Sequence, residues 1–253
     1  MSLRRFSLLL FLLLLSAAVV ACTPRRGGSR GGGGGDDDDS AADDDDASDD
    51  DDMVMDDDDV SDDDDAAIPE WAPNGYPSIL PENESYSGTG TGTDGGRMDA
   101  FNLVDQHGNM VDYRQFLGFV TLVDVAAEWC GPCRQAASEA EYVRQQIQAM
   151  GSAYYIQIVI EDVGGNQPTQ AVASRWSNEF GLDRLPILAD TNWQWAASWN
   201  ITALPTFFLV FPDGTIAQRV EGAPAADDLI NAAAQMLDIA GDDLREMSDW
   251  PNP

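Results

Sequence analysis

The chain of 253 residues contains no lysine, a single histidine and only three cysteines. Its 13 positive charges are therefore all arginine, and they stand against 45 acidic residues to give a formal net charge of −32. A chain this acidic is repelled by phosphate backbones and anionic lipid headgroups, which argues against nucleic-acid binding. The shortage of cysteine and histidine also leaves few ligands for a structural zinc site, which needs four.

The sequence also lacks an apolar run of the about 20 residues that a transmembrane helix needs. Residues 1–21 instead have the organisation of a secretion signal, with Arg4 and Arg5 before an apolar stretch at residues 8–20. This stretch ends in Val-Val-Ala before Cys22, which resembles the bacterial lipobox, where the cysteine is diacylated and becomes the new N-terminus. The resemblance implies a membrane-anchored lipoprotein outside the cytoplasm, because two or more acyl chains give stable anchoring. The alternative is an ordinary cleaved signal followed by a chance cysteine.

Residues 22–97 carry too little apolar surface to offset the chain entropy of folding, and we predict a disordered linker there. Five aspartate tetrads contribute 20 negative charges, which leaves a net charge of −12 for the rest of the chain. The tetrads occupy residues 36–39, 43–46, 49–52, 56–59 and 62–65. An EF-hand calcium loop needs ligands at alternate positions and a glycine at its turn, a pattern absent from this run. We therefore interpret the acidic run as a spacer that binds cations only weakly and diffusely.

Residues 98–240 have the composition of a globular domain, and residues 241–253 that of an acidic tail. Apolar periodicity and turn residues predict six strands and four helices. The strands are expected at residues 101–104, 120–127, 154–160, 186–189, 206–211 and 215–221, and the helices at residues 133–150, 169–180, 190–199 and 225–239. Asp190 is the expected N-cap of the third helix. This alternation predicts an α/β fold whose sheet is parallel in the middle and antiparallel at one edge.

Two of the cysteines, Cys130 and Cys133, stand one helical turn apart where the predicted strand at residues 120–127 runs into a predicted helix. Free backbone N–H groups and the helix dipole stabilise a thiolate on the first cysteine. The second faces the first across one turn, close enough for a disulfide. Pro132 lacks an N–H that would be unsatisfied there and begins the helix without strain. The arrangement suits thiol–disulfide exchange through a mixed disulfide.

Two interpretations without redox activity compete with thiol–disulfide exchange. The first is half of a zinc site, which lacks partners because the remaining candidate ligands are Cys22 and His107. The second is a static structural disulfide, which is possible outside the cytoplasm. A cross-link over so short a range constrains the unfolded chain little, which disfavours a purely structural role.

The sequence Trp-Cys-Gly-Pro-Cys at residues 129–133, preceded by Asp124, resembles the active-site segment of thioredoxins. Ala-Leu-Pro-Thr at residues 203–206 resembles the loop where that family places a cis-proline facing the disulfide. Two further features are closer to the membrane-tethered, extracytoplasmic TlpA- and ResA-like branch: the opening Phe-Asn-Leu-Val-Asp at residues 101–105, and an inserted helix and strand at residues 168–189. The resemblance covers residues 98–240 and implies a thioredoxin fold, with a central mixed sheet and helices on both faces.

Position by position, the resemblance makes Cys130 the nucleophile, Cys133 the resolving thiol and Asp124 the buried acid that takes the proton of the resolving thiol. The residues that it assigns to support of the active site are Trp129, Gly131, Pro132, Leu204 and Pro205. An aspartate inside an apolar strand is costly unless it has partners, so a raised pKa is expected for Asp124. Two departures stand out: thioredoxins usually place a lysine near that acid, and Ala126 replaces the second tryptophan of the family.

We therefore predict a membrane-anchored thiol–disulfide oxidoreductase that reduces disulfides of exported proteins, cytochrome c maturation proteins among them. The resemblance implies no cofactor or metal beyond the redox-active disulfide. It implies protein disulfides and dithiols as substrates, a membrane electron donor, and contact with the membrane through the lipid on Cys22. The alternatives are a disulfide oxidase or isomerase of the same fold, and a tethered binding module with an idle disulfide.

Overall fold

The computed structural model describes residues 71–241 together with residues 244 and 245. Outside the described residues lie the predicted signal sequence at residues 1–21, the predicted lipidation site Cys22, the aspartate tetrads at residues 36–65, and residues 246–253 of the predicted tail. Among the helices of the described part, none is both long enough and apolar enough to cross a membrane.

The strands of the described part form one mixed sheet. They are β1 (Asn102–Asp105), β2 (Met110–Asp112), β3 (Val120–Ala127), β4 (Ala153–Glu161), β5 (Ile187–Ala189), β6 (Thr206–Val210) and β7 (Ile216–Glu221). Their order across the sheet is β2-β1-β5-β4-β3-β6-β7. The central strands β3, β4 and β5 are parallel, whereas β6–β7 and β1–β2 add antiparallel hairpins at the two edges.

The sheet is therefore antiparallel at one edge, as expected, and also at a second edge that was not predicted. The second antiparallel edge exists because β1 pairs with both β5 and the short strand β2. Strand β2 is not predictable from sequence, since three residues are too few to show a period of two. Its pairing follows from the turn around Gly108, whose positive φ of 91° reverses the chain directly after β1.

Four helices pack on the sheet: α1 (Gly131–Met150), α2 (Gln170–Phe180), α3 (Gln194–Ser198) and α4 (Ala226–Ala240). Helices α1, α2 and α4 cover one face of the sheet, here called the helical face. The opposite face, here called the aromatic face, is covered by α3, a short 3-10 helix at Tyr113–Phe116 and the chain that leads into β1. A central mixed sheet with helices on both faces is a thioredoxin fold, as the sequence predicts.

The start of α3 differs from the prediction. The helix begins at Gln194 and not directly after Asp190, because Trp193 adopts a left-handed backbone with φ 57° and separates the two. Asp190 is consequently not the N-cap, although its carboxylate accepts a hydrogen bond of 2.8 Å from the backbone N–H of Ala196. Two tryptophans of this segment pack in the core, with the rings of Trp195 and Trp199 stacked 5.0 Å apart.

The aromatic face has large side chains that need cover. Its buried members include Tyr76, Met98, Phe101, Tyr113, Phe116, Phe119, Tyr154, Trp195, Trp199 and Phe208. Three of these, Tyr76, Met98 and Phe101, come from the chain before β1. Buried aromatic side chains of this size dominate the energetics of a core, so the stretch before β1 is part of the folded domain.

The predicted boundary at residue 98 therefore falls inside the domain. The side chain of Tyr76 is buried against Phe116, and the indole N–H of Trp199 donates to Asp99 at 2.9 Å. Gly92 lies against the same indole, where a Cβ would come within 3.0 Å of a ring carbon. Composition predicts a linker here because proline, glycine, serine and threonine predominate, but a few aromatic anchors suffice to hold the stretch on the sheet.

The beginning of the predicted tail also packs on the domain. Leu244 contacts the core of the helical face, and the backbone N–H of Arg245 donates to the carbonyl of Gly118 at 2.8 Å. The guanidinium group of Arg245 lies over the ring of Phe119 and donates to the carbonyl of Ser78. The folded domain thus extends beyond both predicted boundaries.

Candidate active site

The centre of the candidate site is the turn that joins β3 to α1. Every residue of β3 is buried, as expected of a central strand covered on both faces. After the strand, the backbone N–H of Cys130 donates to the carbonyl of Ala127 at 3.1 Å and turns the chain. Cys130 has an extended backbone (φ −78°, ψ 109°) and is the N-cap of α1, whose second residue is Pro132. The first cysteine thereby lies where the free N–H groups of the helix point.

Cys130 and Cys133 are joined in a disulfide, with their Cα atoms 5.3 Å apart. The backbone N–H of Cys133 donates to the sulfur of Cys130 at 3.2 Å. This contact is a helix-terminal N–H aimed at the sulfur that would carry negative charge after reduction, which favours the thiolate. Cys130 is 3 % exposed and Cys133 is fully buried. Of the two sulfur-bearing residues, only the first thus has any contact with solvent.

The proline loop lies at the same end of β3 as the two cysteines. The Leu204–Pro205 peptide bond is cis, the geometry that the resemblance implies. Thr206, the first residue of β6, pairs with Val125 in antiparallel register, so the two residues before it lie beside the end of β3. The loop is held by the Thr206 hydroxyl, which donates to the carbonyl of Ala203, and by the carbonyl of Pro205, which accepts from Gly222.

Asp124 is fully buried beneath the turn. Side chains alternate along a strand, so Asp124 shares the helical face with Leu122 and Ala126, and Cys133 belongs to that same core. Its Oδ2 atom accepts hydrogen bonds from Gln157 Nε2 at 2.8 Å and from the Tyr155 hydroxyl at 3.4 Å. Burial raises the pKa of Asp124 from its ordinary value of 3.8 to about 7, and the two hydrogen bonds partly oppose that rise. The carboxyl group is thus poised to exchange a proton near neutral pH.

Gln157 is a residue that the sequence analysis missed. It stands directly across from Asp124 in the parallel pairing of β3 with β4, and its Oε1 atom accepts from the indole N–H of Trp176 at 2.9 Å. The signal that exposed Asp124, a polar residue within an apolar strand, applies equally to Gln157 in Ala-Tyr-Tyr-Ile-Gln-Ile-Val-Ile. Sequence alone could not pair the two, because pairing depends on the register of strands about thirty residues apart.

Polar and apolar groups alternate around the rim of the site. Trp129 is 52 % exposed, and its indole N–H donates to the carboxylate of Glu161 at 2.6 Å. Glu128 pairs with Arg175 at 3.0 Å and accepts from the backbone N–H of Val163. These contacts fix Trp129 and the backbone of Val163 around the end of β4. Glu128 and Glu161 were not predicted, since a glutamate that follows a strand carries no distinguishing pattern.

The structure thus brings most of the predicted site residues together around the end of the central strand β3. They are Asp124, Trp129, Cys130, Gly131, Pro132, Cys133, Leu204 and Pro205. Cys22, the predicted lipidation site, lies outside the described residues. A thioredoxin fold with a Cys-x-x-Cys disulfide at the N-terminus of its first long helix defines the class of thiol–disulfide oxidoreductases.

Comparison with known proteins agrees with that class. The sequence model of a family described as Redoxin matches residues 93–236, more than half of the chain, and the chain belongs to this family. It is 24% identical over 140 residues to the thiol-disulfide oxidoreductase ResA of Bacillus subtilis, an alignment that covers 55% of this chain and 74% of the relative. It is 31% identical over 105 residues to the thiol:disulfide interchange protein CycY of Rhizobium leguminosarum.

The CycY alignment covers 42% of this chain and about half, 51%, of that relative. Among solved structures, a secreted thiol-disulfide isomerase from Corynebacterium glutamicum superimposes with a TM-score of 0.50 at 18% identity, covering 56% of this chain and 86% of the other. At this identity the superposition establishes the fold alone.

Proposed function

We propose that this chain is a membrane-anchored, extracytoplasmic reductase of protein disulfides that works through the Cys130/Cys133 pair. The observation that carries the proposal is the hydrogen bond from the N-terminal amide of α1 to the sulfur of Cys130. A thiolate held there is available for attack at neutral pH, and the cis-proline loop beside it leaves an extended substrate a backbone to pair with.

The first step is the attack of the Cys130 thiolate on a substrate disulfide. A bond forms between Cys130 and one substrate sulfur, the substrate S–S bond breaks, and the second substrate sulfur leaves as a thiolate that takes up a proton. Gly131 and Pro132 are exposed and leave the helix start open to a polypeptide. The backbone of Leu204 is the proposed pairing partner for the substrate on the other side of the disulfide.

The second step resolves the mixed disulfide. Cys133 loses its thiol proton to Asp124 and attacks the sulfur of Cys130, so that the Cys130–Cys133 bond forms and the substrate leaves as its second thiolate. The substrate disulfide gains two electrons and the dithiol of the enzyme loses two. A membrane thiol donor of the same exchange chemistry returns the Cys130/Cys133 disulfide to the dithiol form, and no other cofactor takes part.

Exposed apolar side chains around the end of β4, the strand that pairs with β3, support a polypeptide substrate. Trp129 is half exposed, Val163 is 74 % exposed and Trp193 is 36 % exposed. The indole N–H of Trp193 donates to the carbonyl of Ile160, so the two indoles and the backbone of Val163 are anchored around the end of β4. Adjacent apolar groups at a reactive centre favour an unfolded or extended protein segment over a small polar disulfide.

The anchor is proposed at Cys22, on the strength of the lipobox resemblance. Residues 23–70 separate this cysteine from the first described residue, and a chain of that length spans at most roughly 170 Å when fully extended. The site would then act on exported proteins within that distance of the membrane, cytochrome c maturation proteins among them. A Cys22→Ala variant that stays in the membrane fraction would overturn the anchor without touching the reductase proposal.

The test of the reductase is capture of substrates by Cys133→Ser in the full chain. This variant keeps the nucleophile and lacks the resolving thiol, so mixed disulfides should accumulate on Cys130 and disappear on addition of a thiol reductant. Cys130→Ser is the matched control and should capture nothing. Absence of captured species with Cys133→Ser would favour a binding module with an idle disulfide.

The direction of electron flow has its own measurement. A reduction potential near that of thioredoxin, about −270 mV, together with reduction of a small aromatic disulfide, is the expected result. A potential near about −120 mV, with no reduction of that probe, would assign the chain to disulfide oxidases or isomerases of the same fold.

A further inference from the structure

The carboxyl group of Asp124 is held by a glutamine on the neighbouring strand. Gln157 stands opposite Asp124 in the register of β3 and β4, and its Nε2 atom donates to Asp124 Oδ2 at 2.8 Å. Both residues are fully buried on the helical face. The chain contains no lysine, so no lysine ammonium group is available to pair with this carboxylate.

The orientation of the Gln157 amide is fixed by its second partner. The indole N–H of Trp176 can only donate, and it meets the Oε1 atom of Gln157 at 2.9 Å. The amide nitrogen must therefore face the carboxylate and cannot exchange places with the oxygen. Trp176 is itself fully buried on α2, which leaves the Gln157 side chain a single arrangement.

The two oxygens of Asp124 differ as a result. Oδ2 accepts from both Gln157 and Tyr155, whereas buried Oδ1 has no hydrogen-bond partner among the described residues. An unpaired oxygen of a buried carboxylate is costly, and protonation of that oxygen relieves the cost. The helix that carries Cys133 packs over this same face of β3.

We propose that Gln157 is a positioning residue: held by the indole of Trp176, it fixes Oδ2 of Asp124 and leaves Oδ1 as the oxygen that exchanges a proton with Cys133. The assignment rests on the proposed function, since it concerns the resolving step. In that step the Cys133 S–H bond breaks, the proton moves to Oδ1, and the Cys133 sulfur forms the bond to Cys130 as the substrate thiolate leaves.

The groups that face Asp124 are almost all neutral. They comprise Tyr155 and Gln157 from β4, Phe207 from β6, Cys133 from α1, Trp176 from α2, and apolar side chains of α4 such as Ala233 and Met236. Burial raises the pKa of Tyr155 well above its ordinary range, so this hydroxyl stays protonated and donates. The negative charge of Glu139 on α1 contributes to the rise in the pKa of Tyr155. Among the described residues, the charge on Asp124 is thus balanced by the hydrogen-bond donors Gln157 and Tyr155 and by no cationic side chain.

Removal of the Gln157 donor should therefore disfavour the carboxylate. In Gln157→Met the pKa of Asp124 is expected to rise well above about 7, because the hydrogen bond that favours the charged form is lost. At pH 7 the resolving step should slow about tenfold, since hydrogen bonds to charged groups are among the stronger ones, and it should recover as the pH is raised. Trp176→Phe releases the Gln157 amide. It should also raise the pKa of Asp124 and slow the resolving step at pH 7, by smaller amounts than Gln157→Met.

The experiment uses the full chain in its disulfide form, labelled with 13C at the aspartate carboxyl carbons. Ordinary aspartates finish titrating well below pH 6, so a resonance that titrates near pH 7 stands apart, and Asp124→Asn identifies it by its loss. The second measurement is the pH profile of the resolving step: the single-turnover release of the second aromatic thiolate after the reduced chain has formed a mixed disulfide with a small aromatic disulfide. Gln106→Met is the matched control: Gln106 is also buried and holds two backbone groups, with bonds of 2.7 Å to the carbonyl of Leu185 and 2.9 Å from Ile187.

The expected result is an upward move of the Asp124 titration in Gln157→Met and Trp176→Phe, with no move in Gln106→Met. A folded Gln157→Met whose titration matches that of the unsubstituted chain would overturn the proposal, as would an equal move in Gln106→Met. If Gln157→Met does not fold, an unmoved titration in Trp176→Phe overturns it equally. Failure of the chain to reduce any disulfide would reject the reductase function but leave the carboxyl titration to decide on Gln157.

Discussion

Two aspartates of this domain are equally buried and differ in how they are satisfied. Asp105, at the end of β1, accepts four hydrogen bonds: from the hydroxyl of Tyr76, from the backbone N–H groups of His107 and Asn109, and from the side chain of Asn109. Asp124, in the middle of β3, accepts two, and both reach the same oxygen. Each is 0 % exposed.

The difference separates a structural carboxylate from one that is suited to chemistry. Donors to both oxygens of Asp105 tie β1, the turn after it and the chain before it into one unit, so the group holds the aromatic face together. Burial without enough donors raises the pKa of Asp124 into the range where catalytic groups exchange protons. A buried charged group is therefore informative about function only when its partners are counted.

Loss of the Asp105 carboxylate should have the largest effect on stability. Asp105→Ala leaves the Tyr76 hydroxyl and two backbone N–H groups without their acceptor, and the free energy of unfolding should fall by on the order of 5 kcal/mol. Urea denaturation measures the loss, and reductase activity per folded molecule should be unchanged. A loss below about 1 kcal/mol would mean that the four hydrogen bonds are not what holds this turn.

Replacement of Asp124 should raise the free energy of unfolding, whereas replacement of Asp105 lowers it, and the gain should depend on pH. The pKa of this carboxyl is higher in the folded state, about 7, than its ordinary 3.8, so the folded state holds the extra proton between these values. The contribution of this proton to the stability of the folded state is on the order of 4 kcal/mol in total. It is fully present below about pH 4 and is lost as the pH rises through about 7. Asp124→Asn should therefore gain stability relative to the unsubstituted chain from pH 4 to pH 8. Parallel curves for the two proteins would contradict the raised pKa.

The two tyrosines that donate to these aspartates offer the finest comparison. Tyr76→Phe removes a donor 2.9 Å from Asp105 and should lower stability by about 1 to 2 kcal/mol without altering the pH profile of reduction. Tyr155→Phe removes a donor 3.4 Å from Asp124, and this long bond should affect stability by less than about 1 kcal/mol while moving the acid limb of the profile upward. If the pH profile of reduction does not move in Tyr155→Phe, the hydrogen bond that opposes the rise in the pKa of Asp124 comes from Gln157 alone.

The redox centre was largely predictable from sequence because its signals are local. The bounds of β3 agree at both ends with the apolar run at residues 120–127, and α1 begins two residues before the predicted Cys133, since Gly131 and Pro132 already have helical geometry. Trp195 and Trp199 stand four residues apart, a spacing that sets two side chains on one face of a helix, and both are buried.

What sequence could not give depends on tertiary contacts. Gln157 becomes significant only through the register that sets it opposite Asp124 and through an indole from another helix. The stretch that contains Tyr76 has the composition of a linker, yet it folds because the aromatic face of the sheet offers it a surface. Burial against a distant element overrides local composition in both cases.

The central claim is that Asp124 takes the proton of the resolving thiol. The most direct measurement is the rate of mixed-disulfide resolution against pH for the unsubstituted chain and for Asp124→Asn. The rate for the unsubstituted chain should rise as the pH passes about 7 and then level, whereas Asp124→Asn should lack this inflection and rise only as its thiol ionises. An inflection near pH 7 that persists in Asp124→Asn would contradict the claim and place the proton acceptor elsewhere.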